Sequence, residues 1–194
     1  LENRYRILNK GRVIVVLGPS GVGKTTICKK ILEHHPNVHF SISATSRSKR
    51  KEEKEGREYI FLSKKEFEGW IEKGLFIEYA EVHGNLYGTP REQLEENLKK
   101  GHHLLLDVDV QGALNLMKLY PDGLYFFIVP PDFVELKKRL LKRNTDGHAA
   151  ISKRLENASE EFKYVDHFKY VIENRRLDDA VKEILSIIEK ETKT

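Results

Sequence analysis

Residues 13–25 read Val13-Ile-Val-Val-Leu-Gly-Pro-Ser-Gly-Val-Gly-Lys-Thr25, and they are the most informative stretch of the chain. The first five are apolar, as in a buried strand, and a helical pattern follows from about Thr25 to Glu33. Between strand and helix, Gly18 to Thr25 matches G-x-x-x-x-G-K-[ST] at every specified position. Glycines in such a loop let backbone N–H groups point at phosphate oxygens, and the helix N-terminus adds its dipole. The stretch therefore predicts a phosphate-binding P-loop.

The P-loop predicts which residues hold a nucleoside triphosphate. Lys24 is expected to reach the β- and γ-phosphates, and the Thr25 hydroxyl is expected to hold Mg²⁺. The alternative is a turn that is rich in glycine for steric reasons only. The residues predicted to bind ATP here are Gly18, Pro19, Ser20, Gly21, Val22, Gly23, Lys24, Thr25 and Thr26.

A second motif is acidic: Asp107-Val-Asp109 ends the apolar run that starts at Leu104. Side chains two apart on a strand share a face, so both carboxylates are expected to look toward the nucleotide cleft beyond the strand ends. An acid in that place commonly holds Mg²⁺, usually through water, which makes Asp107 a predicted metal ligand. A solvated strand end is the alternative.

The remainder of the chain predicts an α/β fold. Apolar runs at 104–109, 125–129 and 170–173 are separated by helix-like sequence, which is typical of a parallel sheet with helices on both faces. Helices are predicted at Asp132–Arg143, Ala149–Phe162 and Leu177–Glu191.

Residues 38–100 differ from this pattern and predict an inserted lobe with a connecting helix. Strand-like pieces such as Phe76–Val82 surround a short helix at Ser63–Lys73, which a capping box starts. A second capping box, Thr89-Pro-Arg-Glu92, predicts a helix that ends near Gly101. The core P-loop domain is accordingly predicted to comprise 9–37 and 101–194.

Composition restricts the class of protein. The chain of 194 residues has one cysteine, Cys28, and no apolar run long enough to span a bilayer, which predicts a cytoplasmic protein without membrane contact. Its net charge of +4 suits binding of anionic small molecules better than binding of a nucleic-acid duplex. A monomer or a homodimer is expected.

The basic segment Ser46–Tyr59 admits several interpretations. Arg47, Lys49, Arg50 and Lys51 lie within five positions, as in a nuclear signal, a nucleic-acid patch, a solvated loop or a phosphate clamp. A nucleic-acid patch is disfavoured because aromatic residues do not alternate with the basic ones and acids follow them.

Four segments together resemble the guanylate kinase family. They are Phe40–Arg50 (FSISATSRSKR), Gly56–Tyr59 (GREY), Glu78–Pro90 (EYAEVHGNLYGTP) and Asp107–Gly112 (DVDVQG). With the P-loop and residues 139–154, the resemblance covers nearly the whole chain. It implies a P-loop NTPase-type three-layer fold with a parallel central sheet, an inserted α+β GMP-binding lobe and a helical lid at about 139–156.

The resemblance also implies roles for individual residues. In this interpretation the basic loop clamps the phosphate of GMP, while Lys49, Lys51 and the Glu-rich remainder of the loop are solvated. A buried carboxylate at Glu78 accepts the adjacent N–H donors of guanine. The implied GMP-binding residues are Ser43, Arg47, Arg50, Tyr59, Glu78, Tyr87, Thr89 and Asp109. The implied catalytic residues are Lys24, Arg47, Arg139, Arg143 and Arg154, and Arg143 and Asn174 are implied to contact ATP, Asn174 through the adenine.

The activity implied is ATP + GMP ⇌ ADP + GDP with Mg²⁺, with dGMP as a further acceptor. No general base is required, because the attacking phosphate oxygen is already ionised. One alternative is a non-catalytic guanylate-kinase-like interaction module, but such modules typically lose the P-loop lysine or the clamping arginines. The other is a kinase for a different small acceptor, which would have no need of Glu78.

Overall fold

The computed structural model describes residues 11–57, 59–82, 84–142 and 148–192, with side chains of the last segment described from Ile151 onward. In chain order the elements are β1 (Val13–Leu17), α1 (Lys24–His34), β2 (Val38–Phe40), β3 (Ala44–Thr45), β4 (Ile60–Phe61), α2 (Lys64–Glu72), β5 (Phe76–Val82), β6 (Asn85–Pro90), α3 (Arg91–Lys99), β7 (His103–Asp107), α4 (Val110–Leu119), β8 (Leu124–Val129), α5 (Phe133–Lys142), α6 (His148–Phe162), a 3₁₀ turn at Val165–His167, β9 (Tyr170–Glu173) and α7 (Leu177–Thr192).

A parallel sheet of five strands has the order β2-β7-β1-β8-β9. The pairings of β2 with β7, β1 with β8, and β8 with β9 are all parallel. All five residues of β1 are buried, as expected for a strand covered on both faces. The predicted α/β class with a parallel sheet is confirmed.

The chain divides into two compact units. Among the described residues, one unit contains those up to Val13 together with Asn37–Gly123, and the other contains Ile14–Pro36 together with those from Leu124 onward. The P-loop, α1, β8 and α5 to α7 belong to the second unit. The predicted lobe at 38–100 and the predicted core domain at 9–37 and 101–194 remain predictions.

The first unit also holds a second sheet of four strands in the order β4-β3-β6-β5. In this sheet β3 pairs in parallel with β4, while β6 is antiparallel to both β3 and β5. Helix α2 packs on it through Phe67, whose ring stacks on Phe76 at a centroid distance of 4.4 Å. The prediction of short strands around a small helix is confirmed here.

Two local predictions are wrong. Thr89 does not cap α3, since that helix starts after Pro90 without a side-chain cap; Thr89 lies in β6. Asp109 is not on the strand with Asp107, because β7 ends at Asp107 and Asp109 is the N-cap of α4. The Asp109 carboxylate accepts the Gly112 N–H at 2.7 Å, which satisfies one of the free donors at the start of the helix.

The other helix predictions agree with the structure to within a residue or two. Helix α5 is described to Lys142, so Arg143 and part of the predicted lid lie outside the described residues. Within the part of the chain that the structure describes, no helix is both long and apolar enough to cross a membrane.

The capping box of α2 gives a first testable prediction. The Ser63 hydroxyl accepts the Glu66 N–H at 3.2 Å and the Glu66 carboxylate accepts the Ser63 N–H at 2.7 Å. Ser63→Ala should lower the free energy of unfolding by about 1 kcal/mol in urea denaturation, because one helix N–H loses its acceptor. Lys65→Ala, an exposed change in the same turn, is the control. Equal unfolding midpoints for the two variants would contradict this role of the cap.

Candidate active site

The P-loop joins β1 to α1 in the second unit. Lys24 begins α1, and its ammonium group donates to the carbonyl oxygens of Gly18 at 2.7 Å and Pro19 at 3.4 Å. The N-cap of α1 is Gly23, with a φ of 100° that side-chain-bearing residues rarely adopt. No side chain caps the first turn and none there is acidic, so its backbone N–H groups are available to an anion.

Asn174 braces this loop from the end of β9. Its side chain is buried, and its amide nitrogen donates to the Val22 carbonyl at 2.7 Å. Its main-chain N–H donates to Val129 O at 2.8 Å, at the end of β8. Its own carbonyl accepts from the Arg139 guanidinium at 2.9 Å, and Arg139 is also held by Glu135 at 2.9 Å. The buried amide is thus engaged with the backbone of the P-loop.

The basic loop of the first unit is organised around an ion pair between Arg47 and Glu53. The carboxylate accepts from both terminal nitrogens of the guanidinium, at 2.8 and 3.1 Å. The two side chains are only 15% and 14% exposed. The hydrogen bond between them raises the pKa of Arg47 and lowers the pKa of Glu53, although burial opposes both shifts. The guanidinium also lies over the ring of Tyr59, 5.5 Å from its centroid.

Arg50 is placed differently from Arg47. Its backbone N–H donates to Glu53 at 2.8 Å, while its side chain is exposed and pairs with no carboxylate among the described residues. Tyr59 is partly buried, and burial together with the charge of Asp107 raises the pKa of Tyr59 to about 12. Its phenol therefore stays protonated and able to donate at any physiological pH. The ring of Tyr87 lies 6.0 Å from that of Tyr59.

A second cluster in the first unit surrounds the carboxylate of Glu78. Glu78 and Thr89 are cross-strand partners on β5 and β6, and the Thr89 hydroxyl donates to Glu78 Oε1 at 2.5 Å. Glu78 is 7% exposed and has no cationic partner among the residues described. Burial raises the pKa of Glu78 to about 7, with a further upward contribution from the charge of Asp109 and an opposing one from Thr89.

Helix α4 closes one side of this cluster with Gly112. A Cβ atom at that position would stand 2.9 Å from Glu78 Oε2 and 3.1 Å from Asp109 Oδ1. Both carboxylates therefore lie against the bare Cα of the glycine, and a larger residue would displace them. Ser43 is half-buried beside this sheet, just before β3, and its carbonyl accepts the Ile60 N–H.

The chain is similar to known proteins over nearly its whole length. The guanylate kinase family model matches residues 10–191. The guanylate kinase of Thermotoga maritima is 43% identical over 182 residues, which cover 94% of this chain and 88% of the relative. That of Mycoplasma genitalium is 46% identical and covers 93% of this chain and 76% of its own length.

The chain belongs to the guanylate kinase family. A crystal structure of guanylate kinase from Anaplasma phagocytophilum superimposes with a TM-score of 0.80 at 35% identity, over 96% of this chain and 88% of that one. The SH3-kinase fragment of tight junction protein 3 shares the fold at a TM-score of 0.51 and 15% identity, over 93% of this chain and 57% of that one.

Most of the residues predicted from family resemblance fall into the groups described above. Ser43, Glu78, Thr89 and Asp109 lie around the four-stranded sheet and α4, and Arg47, Arg50, Tyr59 and Tyr87 lie around the basic loop. Arg139 lies on α5 and Arg154 is half-buried on α6, whereas Arg143 is outside the described residues. The adenine contact of Asn174 stays a prediction, and the side-chain amide nitrogen of this residue donates to the Val22 carbonyl.

The sequence predictions missed the parts played by Glu53 and Gly112. The sequence interpretation places Glu53 in a solvated loop, but its side chain is largely buried against Arg47. A turn in which the Glu53 N–H donates to the Arg50 carbonyl at 3.1 Å returns the Glu53 side chain to Arg47. The spacing of three residues between Arg50 and Glu53 is the sequence signal that could have predicted this turn. Gly112 carried no comparable signal, because its importance depends on packing against another element.

The raised pKa of Glu78 predicts a pH-dependent stability. Between the ordinary value of 4.5 and about 7, the folded protein binds more protons than the unfolded chain, so ionisation of Glu78 lowers the stability as the pH rises. Glu78→Gln cannot ionise, so its free energy of unfolding relative to the wild type should rise between pH 5 and pH 8, by an amount on the order of a few kcal/mol.

Urea denaturation at pH 5, 6, 7 and 8 without nucleotide tests this. Glu81→Gln, an exposed change on the same strand, provides the control and should show no such trend. A difference between Glu78→Gln and the wild type that did not vary with pH would rule out a raised pKa at this position.

Proposed function

We propose that this protein transfers the terminal phosphoryl group of ATP to GMP, giving ADP and GDP, with Mg²⁺ accompanying ATP. A phosphate oxygen of GMP forms the new bond to the γ-phosphorus while the bond from that phosphorus to the β,γ-bridging oxygen breaks. dGMP is proposed as a further acceptor. The observation that carries the proposal is the carboxylate of Glu78, which is buried without a cation among the described residues.

The environment of Glu78 supports guanine as the base. A buried carboxylate without a cation is unfavourable unless hydrogen-bond donors satisfy it. Thr89 supplies one donor. The N1–H and N2–H₂ groups of guanine are adjacent and can both donate to one carboxylate, whereas adenine would leave it partly unpaired. Unpaired buried polar groups are penalised heavily, which supports a strong preference for GMP over AMP.

The basic loop supports a phosphate dianion as the acceptor group. The ion pair with Glu53 holds the Arg47 guanidinium in one orientation before any ligand binds. Arg50 adds an exposed cation, and the protonated phenol of Tyr59 adds a neutral donor. Planar guanidinium groups bind phosphate oxygens in pairs, so this combination suits the phosphate of GMP.

The second unit supplies groups suited to the donor. The uncapped N–H groups that start α1, together with Lys24, suit the β- and γ-phosphates. Arg139 lies in the same unit and is proposed to stabilise charge on the transferred group, along with Arg143 and Arg154. None of these residues has to remove a proton, because the acceptor oxygen is already ionised.

Thr25 and Asp107 are the proposed protein ligands of Mg²⁺, the latter through water. The Thr25 side chain is exposed at the start of α1, and Asp107 ends β7 with its side chain half-buried. Hydroxyl and carboxylate oxygens are the ligand types that Mg²⁺ takes, and few protein ligands are needed when nucleotide phosphates and water complete the shell. When bound, the ion neutralises charge that develops on the phosphates.

The non-catalytic interaction module is not favoured. The relatives described above carry the name guanylate kinase at 43% and 46% identity over most of this chain. Lys24, Thr25, Arg47 and Arg50 are all present.

A coupled ADP-release assay with GMP, dGMP, AMP, CMP and UMP tests the proposed reaction. The wild type should turn over GMP and dGMP far faster than the other three. Lys24→Ala should lower kcat/KM by at least about 100-fold, because a cation at the transferred phosphate is lost. Lys29→Ala, an exposed lysine on the same helix, is the control. Folded wild-type protein that formed no GDP with Mg²⁺ and ATP would refute the proposal.

The ion pair at the basic loop predicts a selective effect on the acceptor. Glu53→Gln should raise the KM for GMP about tenfold, because Arg47 no longer donates both terminal nitrogens to a charged carboxylate. The KM for ATP should change little. Glu52→Gln removes the same charge from an exposed neighbour and is the matched control. A lower KM for GMP in Glu53→Gln would instead mean that the carboxylate competes with the phosphate.

A further inference from the structure

We infer that Asn174 is a positioning residue of the P-loop, which it holds through the Val22 carbonyl. The inference deepens the proposed function, since it concerns the ATP site of that reaction. It adds to the adenine contact that family resemblance implies for this residue, because the bond to Val22 uses the amide nitrogen and not the amide oxygen.

The position of Asn174 is set by the parallel sheet. It directly follows β9, and its N–H donates to Val129 O, the last residue of β8, at 2.8 Å. Strands β1 and β8 are paired in parallel, so the P-loop leaves β1 at the same edge of the sheet. The backbone thus carries Asn174 to the loop without any requirement for nucleotide.

The Val22 carbonyl needs a donor. In a P-loop the N–H groups turn toward the phosphates, which directs carbonyl groups away from them and into the protein. The Val22 side chain is fully buried, and an unpaired carbonyl in such surroundings would be costly. Asn174 supplies the donor at 2.7 Å across 152 residues of sequence, and it is only 5% exposed.

Gly23 lies against the same amide of Asn174. A Cβ atom at position 23 would stand 2.6 Å from Asn174 Nδ2, so a side chain there would push the amide off the loop. The glycine is therefore required by this contact as well as by its φ of 100°. Loop and asparagine are fitted to each other, and the amide group lies behind the backbone that faces the phosphates.

The main chain of Asn174 also contacts Arg139. The Asn174 carbonyl accepts from Arg139 Nη2 at 2.9 Å, and Glu135 accepts from Arg139 Nε at 2.9 Å. These contacts use two of the five guanidinium N–H groups and leave the others for an anion. One residue therefore links a carbonyl of the P-loop to an arginine proposed to stabilise the transferred phosphoryl group.

The test separates the phosphates from the base. Isothermal titration calorimetry with Mg²⁺ gives Kd values for ATP and for inorganic tripolyphosphate, which has no base. Asn174→Ala should weaken the binding of both ligands by about tenfold, because one hydrogen bond that shapes the loop is lost. Asn174→Asp should weaken both further, since it turns an oxygen toward the Val22 carbonyl. Glu173→Ala, an exposed change one residue away, is the control and should leave both Kd values unchanged.

One further measurement checks that the variant is folded: the Kd for GMP should be unaltered in Asn174→Ala. A loss of ATP affinity with tripolyphosphate binding intact would overturn the inference. If Asn174→Ala weakens both ligands but the wild type forms no GDP, the inference stands and the proposed function is refuted.

Discussion

Removing charged and polar groups from water is costly unless partners replace the water, and the functional parts of this protein follow from that constraint. Glu78 is buried and accepts one hydrogen bond from Thr89, which leaves acceptor capacity for a donor of the ligand. Asn174 is similarly buried, but its amide nitrogen donates to the Val22 carbonyl of the P-loop. The first side chain is therefore suited to recognition, and the second is suited to support.

In each unit a glutamate holds an arginine that is proposed to bind phosphate. The Glu53 carboxylate accepts hydrogen bonds from both terminal nitrogens of Arg47, and the Glu135 carboxylate accepts one from Nε of Arg139. A carboxylate next to a cation weakens its net attraction for an anion, but it also removes the entropy of a long side chain before the ligand arrives. Both arginines are thus preorganised, whereas the Arg50 guanidinium is exposed and has no carboxylate partner among the described residues.

Glycine has two separate uses in these sites. At Gly23 the left-handed backbone lets the P-loop enter α1 and leaves room for the amide of Asn174. At Gly112 the backbone is helical, and the missing Cβ is what matters, because two carboxylate oxygens lie within about 3 Å of where it would stand. Through this close approach of its backbone, α4 sets the positions of the carboxylates of Glu78 and Asp109.

The sequence by itself determined the P-loop, the parallel sheet, the capping box of α2 and the family resemblance, because each depends on residues close together in the chain or on motifs in a recognisable order. It could not show that Asp109 caps a helix, that Glu53 lies beneath Arg47 with little exposure, or that Asn174 meets Val22 across 152 positions. Those facts depend on how strands pair and helices pack. Only the tertiary structure decided which side chain each buried polar group would meet, since hydrogen bonds act over about 3 Å in space and not along the sequence.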